Sequence, residues 1–285
     1  MSILMDKGRI VNITPTTQVL KDPLTASIDA TGRFAIPGFN NMHMHVIDQP
    51  DSASVLARML ADGVTGFRQM TGSREFLEER RNGTLPIGKD APALLVMPGS
   101  LLTPFNAGSA DSVTGEIRQQ KNQGADFIKV GLVSPDVFFA AIAEGKRLGL
   151  PVLGHLQEGV DAAQASRAGF RSIEHLGPGT SIWITCSTEE AVLLADAAEH
   201  PAVKAPPIRV PGFVQEMLMK HLRKRLINPA AFDDAAYTAR LQRAFDTYSE
   251  AECRALATIF VANQTWNVPT LVRLRTQELA DSPEY

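Results

Sequence analysis

Six histidines occur among the 285 residues, and four of them stand where metal chemistry would need them. His43 and His45 are separated by one residue. In an extended strand, residues two apart project to the same side, so both imidazoles can approach one metal ion. A His-x-His pair alone is weak evidence, because a hydrogen-bonded strand end has the same pattern. Lys129, His155 and His175 strengthen it, since each closes a short β-rich run. A lysine turned toward a protein interior carries a heavy desolvation cost unless it is used chemically. Neutral imidazoles suit Zn²⁺. His200 and His221 lie away from any strand end and take no role.

These residues are positioned by a repeated hinge. A polar helical stretch ends at a glycine, a β-rich run comes next, and a reactive side chain closes it. Gly63 leads to Arg68, Gly124 to Lys129, Gly149 to His155 and Gly169 to His175. Glycine after a helix turns the chain through the left-handed conformation at no steric cost. Short runs rich in Val, Ile, Leu and Phe suit strands of a parallel sheet buried on both faces. One helix is well marked, with Ser134 at its cap, Pro135 at its first position, Asp136 at the positive dipole end, and Val137, Phe138, Ala141, Ile142 and Leu148 as an apolar face.

Helices alternating with such strands give βα units, and in a βα barrel reactive groups gather at the C-terminal strand ends. An open doubly wound sheet competes. It would more often carry a glycine-rich phosphate turn, and neither G-x-G-x-x-G nor a Walker loop is present. A TIM-like (β/α)₈ barrel is therefore expected. Hydrophobic residues at 44% and charged residues at 21% suit a globular protein. A net charge of −3 recruits no polyanion, and 6% aromatics is thin for base stacking. Neither nucleic acid nor membrane is an expected partner. The N-terminal residues lack a signal-peptide pattern, so a cytoplasmic protein is expected. Cys186 and Cys253 form no Cys-x-x-Cys pair and read as two reduced thiols.

The run Ile36-Pro37-Gly38-Phe39-Asn40-Asn41-Met42-His43-Met44-His45 resembles the first-strand signature of the amidohydrolase superfamily. The order His-x-His, Lys, His, His along the chain does too. The stretches 124–130 and 169–175 resemble its imidazolonepropionase/prolidase-like branch. Residues 7–10 and 28–32 look like a partial β-sandwich lead-in, spanning 1–34 before a barrel over 35–285. The resemblance implies two divalent metal ions, zinc by preference. His43 and His45 would bind the first, and His155 and His175 the second. Lys129, N-carboxylated by carbon dioxide, would bridge them, with Lys129 and His175 at the catalytic centre. The implied reaction is hydrolysis of an amide or cyclic amide, on a dipeptide-like or ring-amide small molecule, by a metal-bound hydroxide.

The resemblance also implies an aspartate at the end of an eighth strand. Strand seven reads as Asn267–Val272, after which thirteen residues remain, with Asp281 in a polar tail. The barrel is thus expected to lack strand eight, and the lone chain to be poorly active unless a homo-oligomer or complementing chain supplies it. Two rival readings remain open: a non-catalytic metal-binding relic or subunit, and a phosphotriester or lactone hydrolase. Residues 177–262 form a helical excursion between strands six and seven, carrying a basic run at 220–225. Arg68 either meets a substrate carboxylate or closes an internal salt bridge. Strand alternation turns Glu174 away from the axis.

Overall fold

The computed structural model describes residues 1–19, 25–177, 180–200, 214, 217–218, 235–279 and 282. The basic run at 220–225 and Asp281 lie outside the described residues. The chain divides into two compact units, Met1–Pro37 and Gly38–Tyr285.

In the first unit, β1 (Ser2–Asp6) and β2 (Arg9–Thr14) pair antiparallel. Lys7 and Gly8, at φ 48° and 74°, form the two-residue turn. Two successive positive φ values match the twist of a hairpin. The stretch 28–32 forms no strand; Asp29 instead accepts from the Thr31 backbone and hydroxyl in a local turn.

The second unit alternates strand and helix. It runs β3 (Phe39–Met44), α1 (Ser52–Ala61), β4 (Val64–Gln69), α2 (Arg74–Asn82), β5 (Ala93–Val96), α3 (Ala110–Gln123) and β6 (Ile128–Val130). Next come α4 (Pro135–Leu148), β7 (Val152–Gly154), α5 (Ala162–Ala168), β8 (Ser172–Glu174) and α6 (Ile182–Thr185). The remainder is α7 (Glu190–Glu199), α8 (Ala235–Asp246), α9 (Glu250–Asn263), β9 (Trp266–Val268) and α10 (Leu271–Glu278). Strands β3-β4-β5 form one parallel sheet and β6-β7-β8-β9 another, and a single bridge from Leu102 to Val130 links segments near their adjoining edges. Among the described residues no pairing joins β9 to β3. No described helix is long and apolar enough to cross a membrane.

Seven parallel strands thus alternate with helices as the hinge pattern predicts. All four hinge glycines have positive φ, between 67° at Gly149 and 109° at Gly169. Helix α4 starts at Ser134, whose side chain makes no cap hydrogen bond, so Pro135 and the dipole carry that end. Its face Val137, Phe138, Ala141 and Ile142 joins Ile128, Val130, Val152 and Ile173 in the main core. Phe138 meets Phe170 with ring centroids 4.8 Å apart. This packing sets the direction of Lys129. With Ile128 and Val130 committed to the helices, the residue between them must face the other way.

Two expectations are corrected. Strand seven is Trp266–Val268, and the chain is helical again from Leu271, because Pro269 ends the ladder by removing a donor. Cys186 and Cys253 are not free thiols but a disulfide, with Cα atoms 4.5 Å apart. They lie 67 residues apart in sequence, so spacing could not pair them. The fold does so where the Ser249 amide donates to the Cys186 carbonyl at 2.8 Å, at the start of α9. Closing so long a loop stabilises a chain by ~2–4 kcal/mol. Reduction should therefore lower the thermal midpoint by roughly 5–10 °C, read by calorimetry with and without a phosphine reductant. An unchanged midpoint would show that the bridge contributes nothing.

Candidate active site

Four strand ends carry the basic residues toward one place. On β3, His43 lies within the strand and His45 one residue past its end, with their Nε2 atoms 3.1 Å apart. Alternation puts them on one side, as the His-x-His spacing predicts. On β6, Lys129 is only 3% exposed, and its Nζ lies 3.4 Å from His45 Nε2. His155 comes just after β7, where Gly154 allows close strand approach: a Cβ there would sit 2.2 Å from the Val130 carbonyl oxygen. The His155 amide then donates to that same carbonyl at 3.0 Å. His175 comes just after β8, and its ring centroid lies 4.4 Å from that of His43 and 5.6 Å from that of His155.

Glu174 overturns its expected direction. Ser172 and Glu174 are two apart on β8, and Ile173 between them is in the helix-facing core, so both polar side chains face the site. Ser172 donates to Glu174 Oε1 at 2.8 Å, Arg68 donates to the same oxygen at 2.7 Å, and His43 Nδ1 lies 2.7 Å from Oε2. His175 reaches the same side because it lies past the strand, at φ 57°, where alternation no longer holds. Of the two fates open to Arg68, the structure shows the internal salt bridge, with Arg68 Nε also donating to the Met42 carbonyl.

Three further residues at the site are not marked by any sequence motif. Thr71 bonds His45 Nδ1 and Thr270 bonds His175 Nδ1 through their hydroxyls. Both lie just past the C-terminal ends of strands, which is the signal that could have found them. Arg273, on α10, has its backbone amide bonded to the Thr270 carbonyl at 2.8 Å, and its charge is felt by His43, His155 and His175.

The electrostatics favour neutral rings. Burial, reinforced by Lys129, Arg68 and Arg273, lowers His43 to about 2. Burial also takes His175 to about 2, aided by His43 and Arg273, and holds His155 well below its ordinary value. Burial lowers Lys129 to about 8 against the opposing pull of Glu174. Burial therefore eases the loss of the ammonium proton. Burial raises Glu174, and Arg68 beside it pulls the other way.

These shifts make stability depend on pH. Above pH 6.5, the ordinary histidine value, His43 and His175 carry no proton in either state and their contribution to stability is fully present. Below it the unfolded chain takes up protons that the folded chain refuses. Stability then falls toward pH 2 by roughly 1.4 kcal/mol per pH unit for each such proton. Urea unfolding of the metal-free protein at pH 7, 6 and 5 should show a declining midpoint; a flat profile would contradict these shifts.

The donor set fits a metal in chemistry, and the His43–His45 pair fits it in spacing. Two nitrogens bound to one tetrahedral Zn²⁺ at ~2.0–2.1 Å lie about 3.3 Å apart, close to the 3.1 Å between His43 and His45. His155 Nδ1 is buried without a hydrogen-bond partner. An orphaned polar atom of that kind costs stability unless a ligand completes it. Among the described residues, no group of three His, Cys, Asp or Glu side chains is placed to hold a metal ion.

Neither a protein-family model nor a curated protein matches the chain, whereas solved structures do. An uncharacterized protein aligns over 93% of this chain and 72% of its own length, at 17% identity and a TM-score of 0.51. A prolidase complexed with N-methylphosphonate-L-proline aligns over the same shares at 17% identity and a TM-score of 0.49. An amidohydrolase aligns over 69% of this chain at 22% identity and a TM-score of 0.49. The chain shares its fold with that uncharacterized protein. The chain spans 59% of the length of that last structure.

Proposed function

We propose that this chain is a metal-dependent amidohydrolase acting on amide or cyclic-amide C–N bonds of a dipeptide-like or ring-amide small molecule. The observation that carries the reading is the convergence of His43, His45, Lys129, His155 and His175 from four strand ends, with the buried His155 Nδ1 unsatisfied. His43 and His45 would hold one divalent ion and His155 and His175 a second. Lys129 stands beside His45, where a carbamate on its amine would offer oxygen donors to both. Bound there, such ions supply Lewis acidity and water of lowered pKa, zinc being the metal these donors suit best.

The remaining work falls to the chain. Thr71 and Thr270 hold the outer nitrogens of His45 and His175, which fixes the direction of each ring. Burial keeps the imidazoles unprotonated and so available as ligands. It also frees the Lys129 amine from its proton more readily than in water. Arg273 places a positive charge near the three inner histidines, where an anionic part of a substrate would be attracted.

The test is a substrate panel. Zinc-reconstituted protein is offered N-acyl amino acids, dipeptides, ring amides, lactones and phosphotriesters, with a chelated control. Slow amide cleavage that disappears on chelation is expected. Cleavage confined to lactones or phosphotriesters, or no metal-dependent turnover at all, would overturn the reading.

A further inference from the structure

We infer that Glu174 is a positioning residue that fixes His43 as its Nδ1–H tautomer and so turns the Nε2 lone pair of His43 toward the other basic side chains of the site. The argument starts from hydrogen-bond capacity. A carboxylate only accepts. Glu174 Oε1 is taken by Arg68 and Ser172, at 2.7 and 2.8 Å, which leaves Oε2 for His43 Nδ1 at 2.7 Å. His43 Nδ1 must then donate. In a neutral ring the proton is on one nitrogen only, so Nε2 is left as an acceptor. That Nε2 is the atom facing His45 Nε2 at 3.1 Å.

The geometry is rigid because each partner comes from a different strand. His43 is on β3, Arg68 on β4 and Glu174 on β8. Arg68 is held in turn by the Met42 carbonyl at 2.6 Å, next to His43 in sequence. Glu174 is fully buried, so water does not compete for its oxygens. The contact also ties the first of these strands, in one sheet, to the sixth, in the other. Neither the order of basic residues nor the hinge pattern assigns this role. In a metal site, an outer carboxylate on a ligating histidine fixes both tautomer and ring direction.

The inference deepens the proposed function and rests on it only for its consequence in metal affinity. Its test has two arms. In the metal-free protein, nitrogen-15 NMR of the imidazoles should show His43 protonated on Nδ1. In Glu174→Gln, which keeps the shape, the Oε1 side still faces Arg68 and the amide NH₂ meets His43. The proton of His43 should therefore move to Nε2. In the second arm, zinc affinity by chelator competition should fall by ~10–100-fold in Glu174→Gln, with Glu174→Asp, which keeps the charge, recovering part of the loss. A parent His43 protonated on Nε2, or a Gln variant with its tautomer unchanged, would overturn the inference. If the parent binds no zinc, the proposed function fails while the tautomer arm still decides the role of Glu174. If the tautomer moves and affinity stays within threefold, the positioning claim fails in its consequence.

Discussion

Lys129→Ala is expected to lower metal-dependent amide hydrolysis by ~10³-fold or more, about 4 kcal/mol of barrier, without unfolding the chain. The two halves of that expectation come from one structural fact. Lys129 is 3% exposed, on a strand whose neighbouring residues Ile128 and Val130 pack on helices, and burial opposes its charge. A buried amine of this kind is a burden on stability, so truncation relieves desolvation rather than adding to it. A lysine retained only for packing or charge pairing would behave the other way, with stability lost and activity little changed. The measurement is kcat/KM of zinc-reconstituted parent and variant on any amide the parent cleaves, with thermal unfolding of both. Activity within tenfold of the parent would remove Lys129 from the chemistry.

Arg68→Met is expected to be the most destabilising single change at the site, by ~3–5 kcal/mol, although it touches no proposed metal ligand. Arg68 and Glu174 are both buried, so removing the guanidinium leaves a carboxylate without its hydrogen-bonded countercharge in a place water does not reach, with only the more distant Lys129 to oppose it. The cost of an unpaired buried charge exceeds the benefit of the original pair. The double variant Arg68→Met/Glu174→Leu should recover most of the loss, because it removes both charges together. The pH dependence gives the sign. Burial already raises Glu174 above its ordinary 4.5, and loss of Arg68 raises it further. Below pH 4.5 the carboxyl is protonated in both states and the charge penalty is absent. The deficit should open as pH rises from 4.5 and be complete once the folded-state carboxyl has ionised. Urea midpoints of the parent, single and double variants between pH 4 and 8 would show this. A single variant as stable as the parent at pH 8 would mean that the pair is not confined as the structure shows.

Much of the positioning was legible in the sequence because it depends on local rules. Gly63, Gly124, Gly149 and Gly169 each had to come after a helix, and each adopts positive φ there. The two-residue spacing of His43 and His45 put both rings on one side without any knowledge of the rest of the fold. The parts that were not legible lie where those local rules stop. Alternation carried through His175 misdirects Glu174, because the strand ends at Glu174 and the left-handed backbone beyond it resets the alternation. Pro269 hid the end of the seventh strand behind an apolar run, since Leu271 and Val272 suit either conformation. Thr71 and Thr270 belong to no motif of their own; they matter only because histidines from other strands come to meet them. The Cys186–Cys253 bridge is of the same kind, invisible until two segments 67 residues apart are packed together.

The most direct test of the metal reading is metal content, by elemental analysis of the purified, zinc-reconstituted parent and of Lys129→Ala. Two equivalents of zinc per chain in the parent, both lost on the single substitution, is the result predicted if Lys129 joins two ions held by His43, His45, His155 and His175. No zinc in the parent, or two equivalents retained in the variant, would contradict it.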